Sequence, residues 1–424
     1  MTYAVKRLSH VAATRTSNVD KKSYDDEATV RLCNYTDVYK NDSITPDMDF
    51  MVATATRDQL SKFGLTAGDT VFTKDSETAD DIGIPAYVAE SAPDLVCGYH
   101  LAIARPFAAE ADPKFLYWCL ASPEAAQQWS VLASGVTRVG LRQSDIGKLE
   151  IPIPPLQIQR NVAAFLDRET AQIDDLIGKQ ERLIELLAEK RQAIITHAVT
   201  KGLDPTAPTK SSGVTWLGDI PAHWACKQIK WLTQVRRGAS PRPIDNPVYF
   251  DENGEWSWVR IADVSASDGT LTSTTQRLSN LGSSLSVKLE PGSLFVSIAG
   301  TVGKPCINRI KACIHDGFVY FPTLRIDPQF LFRIFEAGRC YEGLGKMGTQ
   351  LNLNTDTIGS ISVPVPPKDE IEEILTALSY RLHKLDGLSS KITQFRERLI
   401  ERRAALISAA VTGKIDIRKG AAEQ

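Results

Sequence analysis

Stepping alternately four and three residues from Val162 meets Val162, Leu166, Glu169, Ile173, Leu176, Gln180, Leu183, Leu187, Lys190 and Ile194. The same steps from Ile374 meet Ile374, Leu378, Arg381, Leu385, Leu388, Ile392, Phe395, Leu399, Arg402 and Leu406. Most of these positions are apolar, and no proline interrupts either run. Gly178 and Gly387 are single weak points of the kind a helix tolerates. A heptad-like stripe sustained this long predicts a long helix in each place. The first, from about Leu156 to Thr200, spans about 65 Å at 1.5 Å per residue. One helix cannot bury such a stripe alone, and the matching stripe is its natural partner. The alternative is two separate helices, each packed on its own globular part. Glu169 and Lys190 interrupt the first stripe, Arg381 and Arg402 the second. They are candidates for setting register, though the pattern does not say which charge meets which.

The two stripes belong to an internal repeat. Ile146-Gly147 precedes the run Ile151 to Pro155 (IPIPP), and Ile358-Gly359 precedes the run Val363 to Pro367 (VPVPP) at a fixed offset. Ala198-Val199-Thr200 and Ala410-Val411-Thr412 keep that same offset. The segments between align without a gap, with about a third of positions identical. Upstream the likeness is looser. Trp258 to Val264 reads as a strand and turn, with a counterpart in Val30 to Tyr35. Pro291 to Val296 and Ala67 to Phe72 are each a turn followed by an apolar strand. Each half thus opens with short strands and Gly/Pro turns, then passes a proline-rich hinge that blocks backward growth of the helix. The boundaries that follow are 1–155, 156–201, 202–367 and 368–424, with a strand-rich domain, a long helix, a strand-rich domain and a long helix with a tail.

The 424 residues suit two or three domains. With 49 Lys+Arg against 51 Asp+Glu the net charge is −2, which excludes binding of nucleic acid by bulk positive charge alone. No stretch approaches the length of an apolar membrane span, and Met1 to Ser9 lacks the apolar core of a signal peptide. Seven scattered cysteines, with no Cys-x-x-Cys pair, argue against structural zinc and read as free thiols in a reducing cytoplasm.

Catalytic patterns fail one by one. The run Gly300 to Pro305 (GTVGKP) resembles part of a phosphate loop, but Ile298 stands where its first glycine belongs and Pro305 where Ser or Thr belongs. It reads as a tight turn between strands. No Gly-rich fingerprint for a nucleotide or S-adenosylmethionine is present, and neither Pro154-Pro155 nor Pro366-Pro367 sits in an Asn/Asp-Pro-Pro-Tyr motif. The six histidines show no ligand spacing. The chain reads as non-catalytic, with no metal or cofactor of its own.

The run Lys210 to Trp224 (KSSGVTWLGDIPAHW) reads as a linker entering a new domain. It resembles the start of a target recognition domain in the specificity subunits of type I restriction–modification systems. Pro154-Pro155-Leu156 through Gln159, with Phe165-Leu166-Asp167, resembles their hinge-to-helix signature, and Ala198 to Gly202 and Ala410 to Lys414 resemble their helix ends. The resemblance covers essentially the whole chain. Two departures stand out. Lys368-Asp369-Glu370-Ile371 replaces the hinge glutamine, and the first half begins near Tyr3 to Leu8 without the Trp-Leu-Gly opening.

The resemblance implies an α+β fold in which two target recognition domains are joined by two long helices forming an antiparallel coiled coil with pseudo-twofold symmetry. It implies a chain that reads a bipartite double-stranded DNA target with a fixed spacer and takes part in phage defence. Two methyltransferase (modification) subunits and restriction (motor-nuclease) subunits are the implied partners. They are expected to bring S-adenosylmethionine, ATP and magnesium, in the cytoplasm. A stiff helix pair acting as a ruler predicts that four residues inserted near Gln180 lengthen the spacer and leave both half-sites unchanged. The alternatives are a fused methyltransferase–nuclease with a similar reader, and a coiled-coil scaffold without DNA reading.

Base edges are read by Arg, Lys, Asn and Gln, with Ser and Thr less discriminating. Thr137 and Arg138 correspond through the repeat to Thr349 and Gln350, in loops preceding the two hinges. Arginine suits guanine and glutamine adenine, as divergent copies of one reader require. Arg236, Arg237 and Arg242 form the densest basic loop and are candidates for phosphate contact. Thr301 and Lys304 lie in the Gly-rich turn, with Lys74 as their expected counterpart; Arg57, Arg142 and Asn352 complete the candidates. Residues 1–155 hold 15 Lys+Arg and 21 Asp+Glu, a net of −6, and residues 202–367 hold 16 and 14, a net of +2. An acidic reader predicts that partner subunits supply part of the grip on DNA.

Overall fold

In the computed structural model, which describes residues 3–344 and 353–415, each proline-rich hinge is one strand of a small antiparallel pair. Glu150–Pro152 pairs with Val5–Arg7, and Ser362–Val365 with Ala225–Gln228. Two-stranded pairs have free edges, where proline displaces no ladder bond. Val5 lies opposite Pro152 as Cys226 lies opposite Pro364, so Val5–Arg7 holds in the first half the place that Ala225–Gln228 holds in the second. Two units follow from the density of contacts: Met1–Glu181 with Thr393–Gln424, and Arg182–Ile392.

In the first unit a five-stranded sheet has the order Ala12–Thr16, Leu101–Pro106, Thr70–Thr73, Pro85–Val88, Ser43–Ile44. Neighbours are antiparallel except the last pair, which is parallel. In the second unit the order is Arg236–Arg237, Phe318–Tyr320, Leu294–Ser297, Pro305–Asn308, Thr270–Leu271, with the same senses. A smaller sheet accompanies each. Ala28–Cys33 lies between antiparallel Met51–Ala55 and parallel Leu95–Cys97. Likewise Trp256–Val259 lies between antiparallel Gln276–Leu278 and parallel Ala312–Ile314, and Val287–Leu289 extends that sheet. The paired segments read from the sequence occupy matching strands in the two units.

All four residues of Thr70–Thr73 and of Leu294–Ser297 are buried, as expected of strands covered on both faces. Alternation sends Phe72 into a core with the long helices and Val71 into a core with the smaller sheet. In the second unit Leu294 and Val296 join the long helices, and Phe295 faces the other way. The five-stranded sheet is thus the middle layer of each unit. The linker forms a pair of strands, Thr209–Ser211 with Asp219–Pro221. It ends on fully buried Trp224, whose Nε1 donates to Glu370 Oε2 at 2.9 Å.

The long helices are Leu156–Lys201 and Lys368–Val411. Their ends enter the cores: Val162, Leu166, Ile407 and Val411 in the first unit, and Ile195, Val199, Ile374 and Leu378 in the second. Burying such a side chain contributes about 1.5–3 kcal/mol relative to exposure. Between the ends the two helices face each other antiparallel within each unit. Arg403 meets Asp174 at 2.8 Å and Arg396 meets Glu181 at 3.5 Å in the first, and Arg191 meets Asp386 at 3.5 Å in the second. The alternative of unpaired helices is therefore excluded.

The stripe itself needs correction in its middle. Leu176 and Leu183 are 39% exposed, Leu388 45% and Phe395 46%, while Ile177, Ile184, Leu382 and Ser389 turn inward. Lys190, Arg381 and Arg402 are exposed and Glu169 is half-buried. The charges in the seam are instead Arg191, Arg396 and Arg403. Leu176 and Leu183 each precede an isoleucine, so a 3.5-residue step and the true 3.6-residue turn pick different neighbours.

The hinge glutamine has a clear task. Gln159 is fully buried, accepts from the Asp112 N–H at 2.7 Å and donates to the carbonyls of Glu110 (3.0 Å) and Pro154 (2.8 Å). Its equivalent, Ile371, is buried among apolar groups.

Candidate nucleic-acid interface

In the first unit the strand pair Val139–Gly140 with Asp75–Ser76 gathers four of the candidates. Thr137 and Arg138 lie in the exposed loop that Ser134 and Gly140 close with two backbone hydrogen bonds. Arg142 follows, exposed, as the residue before the helix Gln143–Ile146. Neither Arg138 nor Arg142 forms an ion pair among the described residues. Lys74 is different: its Nζ stands 2.9 Å from Asp75 Oδ2, which also meets His100 Nδ1 at 2.8 Å. Asp75 and His100 were not singled out from the sequence; a lysine followed at once by aspartate was the available signal. Tyr35 lies beside this loop, stacked on Tyr39 at 5.4 Å. Burial raises its phenol pKa, and Ser76 and Arg138 pull it back. Arg57 is exposed at the first position of the helix Arg57–Phe63 and is not brought to this strand pair by any strand.

In the second unit the turn His315–Gly317 organises the basic loop. Asp316 accepts from Ser240 Oγ at 2.9 Å and from Arg242 Nη2 at 2.9 Å, and its carbonyl accepts from Arg237 Nε. Arg236 donates to Gln234 Oε1 at 2.7 Å and remains exposed. Gly317 accepts from the Ile298 N–H, which starts the Gly-rich turn. In that turn Thr301 Oγ1 meets Ser265 Oγ at 2.5 Å. Lys304 Nζ donates to the carbonyls of Ser265 (2.9 Å) and Ser267 (2.7 Å). Lys304 therefore braces a neighbouring loop. Its backbone equivalent in the first unit is Ile84, because Thr73 N–H donates to Ile84 O as Ser297 N–H donates to Lys304 O. Lys74 matches Ile298 instead, since each donates to the turn before the following strand. That corrects the expected pairing of Lys74 with Lys304. Thr349, Gln350 and Asn352 lie outside the described residues.

Burial lowers the pKa of His315, and its Nδ1 accepts the Gly317 N–H at 2.8 Å, a bond only the neutral ring can form. Cys33, Cys97, Cys119, Cys306, Cys313 and Cys340 are buried and free of disulfides. No cluster of three His, Cys, Asp or Glu suited to a metal occurs among the described residues, and no helix there is long and apolar enough to cross a membrane.

Two sheets of matching order and paired helices agree with the comparisons to known proteins. The type I restriction modification DNA specificity domain matches residues 4–186 and again 221–394. The chain belongs to that family. A putative type I restriction enzyme MjaX specificity subunit of Methanocaldococcus jannaschii is 24% identical over 85% of this chain and 82% of its own. The EcoKI specificity subunit of Escherichia coli K12 is 29% identical over 28% of this chain and 24% of its own. Among solved structures, one from work on assembly and conformational transition of the type I R-M system covers 98% of both chains with a TM-score of 0.74 and 16% identity. The HsdS subunit from Thermoanaerobacter tengcongensis covers 98% of this chain and 97% of its own, with a TM-score of 0.53 and 16% identity. At such identity these two establish the fold. As a member of the specificity family the chain is a DNA-recognition subunit. The readings as a fused methyltransferase–nuclease and as a scaffold without DNA reading are not favoured.

Proposed function

We propose that the chain reads a two-part sequence on one duplex, one half with each strand-rich domain, with the paired helices setting the unread gap. The observation that carries this is the repeated frame: one strand order, built twice, presents Thr137-Arg138 beside Asp75 in one copy and Arg236 to Arg242 around Asp316 in the other. Two methyltransferase subunits and the restriction subunits supply chemistry, S-adenosylmethionine, ATP and magnesium, in the cytoplasm. This chain supplies recognition and the frame. Because its first domain is acidic, the isolated chain binds DNA weakly, and the complex with its methyltransferase binds tightly and specifically.

The deciding experiment maps methylated adenines in the host genome with and without this chain. The expected result is a two-part motif with a constant gap that disappears on deletion. A contiguous motif, or one that persists, overturns the reading. The ruler itself needs both helices altered, since an insertion near Gln180 alone shifts it against Arg396 and its neighbours. Seven residues added near Gln180 and seven near Glu397 lengthen the pair by about 10 Å, which corresponds to about three base pairs of added gap.

A further inference from the structure

The ion pair between the helices occurs twice. Asp386 is the repeat counterpart of Asp174, and Arg403 is the counterpart of Arg191, so Arg403–Asp174 and Arg191–Asp386 are the same contact in the two copies. In each copy the arginine has a second carboxylate, and it lies on the recognition domain. Arg403 Nη2 meets Asp42, in the turn before the strand Ser43–Ile44. Arg191 Nη1 meets Glu336 Oε1 at 2.8 Å, at the end of the helix Pro328–Ala337. The helix partner repeats while the domain partner differs in residue and in element. A contact kept by inheritance alone explains the first leg but not the second, which each domain makes in its own way.

The surroundings fit a tie between two bodies. The Arg403 guanidinium stands 5.9 Å over the ring of Trp118, which itself donates to Asp167 on the first long helix. Gln192, next to Arg191, donates to the carbonyls of Glu336 (3.1 Å) and Ala337 (2.6 Å). Beside Arg191 an open cleft of about 960 Å³ lies between the domain and the helices, lined by Arg333, Glu336, Tyr341, His383 and Asp386. There the ion pair spans a gap that packing leaves open. Burial works against both arginine charges, and the paired carboxylates more than offset it. A guanidinium can hold two carboxylates with separate nitrogens, which an ammonium does poorly.

We propose that Arg191 and Arg403 are positioning residues for DNA recognition: each ties one recognition domain to the helix pair and so sets the half-site separation that is accepted. This rests on the two-part reading proposed above. The test uses the complete methyltransferase complex carrying Arg191→Met or Arg403→Met. It is offered duplexes with the native gap and with gaps one base pair longer or shorter. Discrimination against the shifted gaps is expected to fall by about tenfold, with base preferences inside each half-site unchanged. Arg→Lys rescues little. Asp42→Asn cuts only the domain leg and reproduces the effect at the first domain; Glu336→Gln does so at the second, where it also removes the pair with Arg333, so Arg333→Met, which spares Arg191, is expected to leave gap discrimination unchanged.

Unchanged gap discrimination in folded variants overturns the proposal. So does a uniform loss at every gap length that tracks a lower melting temperature. Hydrogen exchange gives a readout independent of DNA: faster exchange is expected around Asp42 in Arg403→Met and around Glu336 in Arg191→Met, and its absence overturns the tie. A wild-type complex that methylates no two-part site fails the DNA reading alone, and the exchange result then judges the tie by itself.

Discussion

In the first recognition domain the Gly83 N–H donates to Thr73 O; in the second the Gly303 N–H donates to Ser297 O. Both glycines have positive φ, 80° and 87°. Each lies under an aromatic ring, but the rings have different sources. Trp129 covers Gly83 from the helix Pro123–Leu132, and Tyr341 covers Gly303 from a short turn after the helix Pro328–Ala337. The hinges differ in the same manner. Gln159 satisfies three backbone groups where Ile371 fills space. The two copies share backbone requirements, while a covering side chain can change if it still fills the volume or pairs the polar groups.

The largest expected effect tests the shared glycine. A Cβ on Gly83 would lie 2.2 Å from the buried Trp129 ring, and one on Gly303 would lie 3.0 Å from Tyr341. Both alanines carry a backbone penalty of about 1–2 kcal/mol. Gly83→Ala adds overpacking of about 1–3 kcal/mol. Thermal unfolding of the two variants is expected to show the larger loss for Gly83→Ala; equal losses would show that the coverings are equivalent.

Exchanging the hinge residues comes next. Gln159→Ile strands backbone groups of Glu110, Asp112 and Pro154, at about 2 kcal/mol after partial hydration. Ile371→Gln places an amide without a partner among apolar groups, at a similar about 2 kcal/mol. If either swap is neutral in the same unfolding measurement, the hinges are interchangeable and the contrast fails.

The loops are contrasted by Arg138→Ala and Arg236→Ala. The first should relax one position of one half-site by about 1–3 kcal/mol of discrimination. The second should weaken all sequences alike and reduce the salt slope by about 1. Binding of the methyltransferase complex to a panel of duplexes at several salt concentrations separates the two; identical profiles would mean that both arginines contact phosphate.

The smallest effect concerns pH and only the second domain. The folded pKa of His315 is depressed by burial, so its contribution to stability is complete above the ordinary histidine value, near 6.5, and is lost as pH falls below it. His315→Gln is expected to flatten the melting temperature of the second unit across that window. An unchanged slope would mean that Nδ1 is not the acceptor that matters.

Much of the frame was legible because it is written locally. Proline-rich runs, turn glycines and a constant offset between the halves mark the hinges, strands and copies without reference to distant contacts. The DNA-facing candidates were partly legible. Strand pairing brings Lys74, Thr137, Arg138 and Arg142 together, and the adjacent Asp75 was a signal for the pairing of Lys74, but no spacing announced that the Ser265 and Ser267 carbonyls engage Lys304.

Two copies, one long helix at the end of each, and the starts of those helices could be read from residue order, because helix periodicity and proline chemistry act over a few residues. Long-range packing alone turns Ile177 and Ile184 inward in place of Leu176 and Leu183, and holds the charges of Arg191, Arg396 and Arg403 in the seam. Adjacent apolar residues offer a helix two possible faces. The choice is made by the opposing helix and by carboxylates up to 361 residues away.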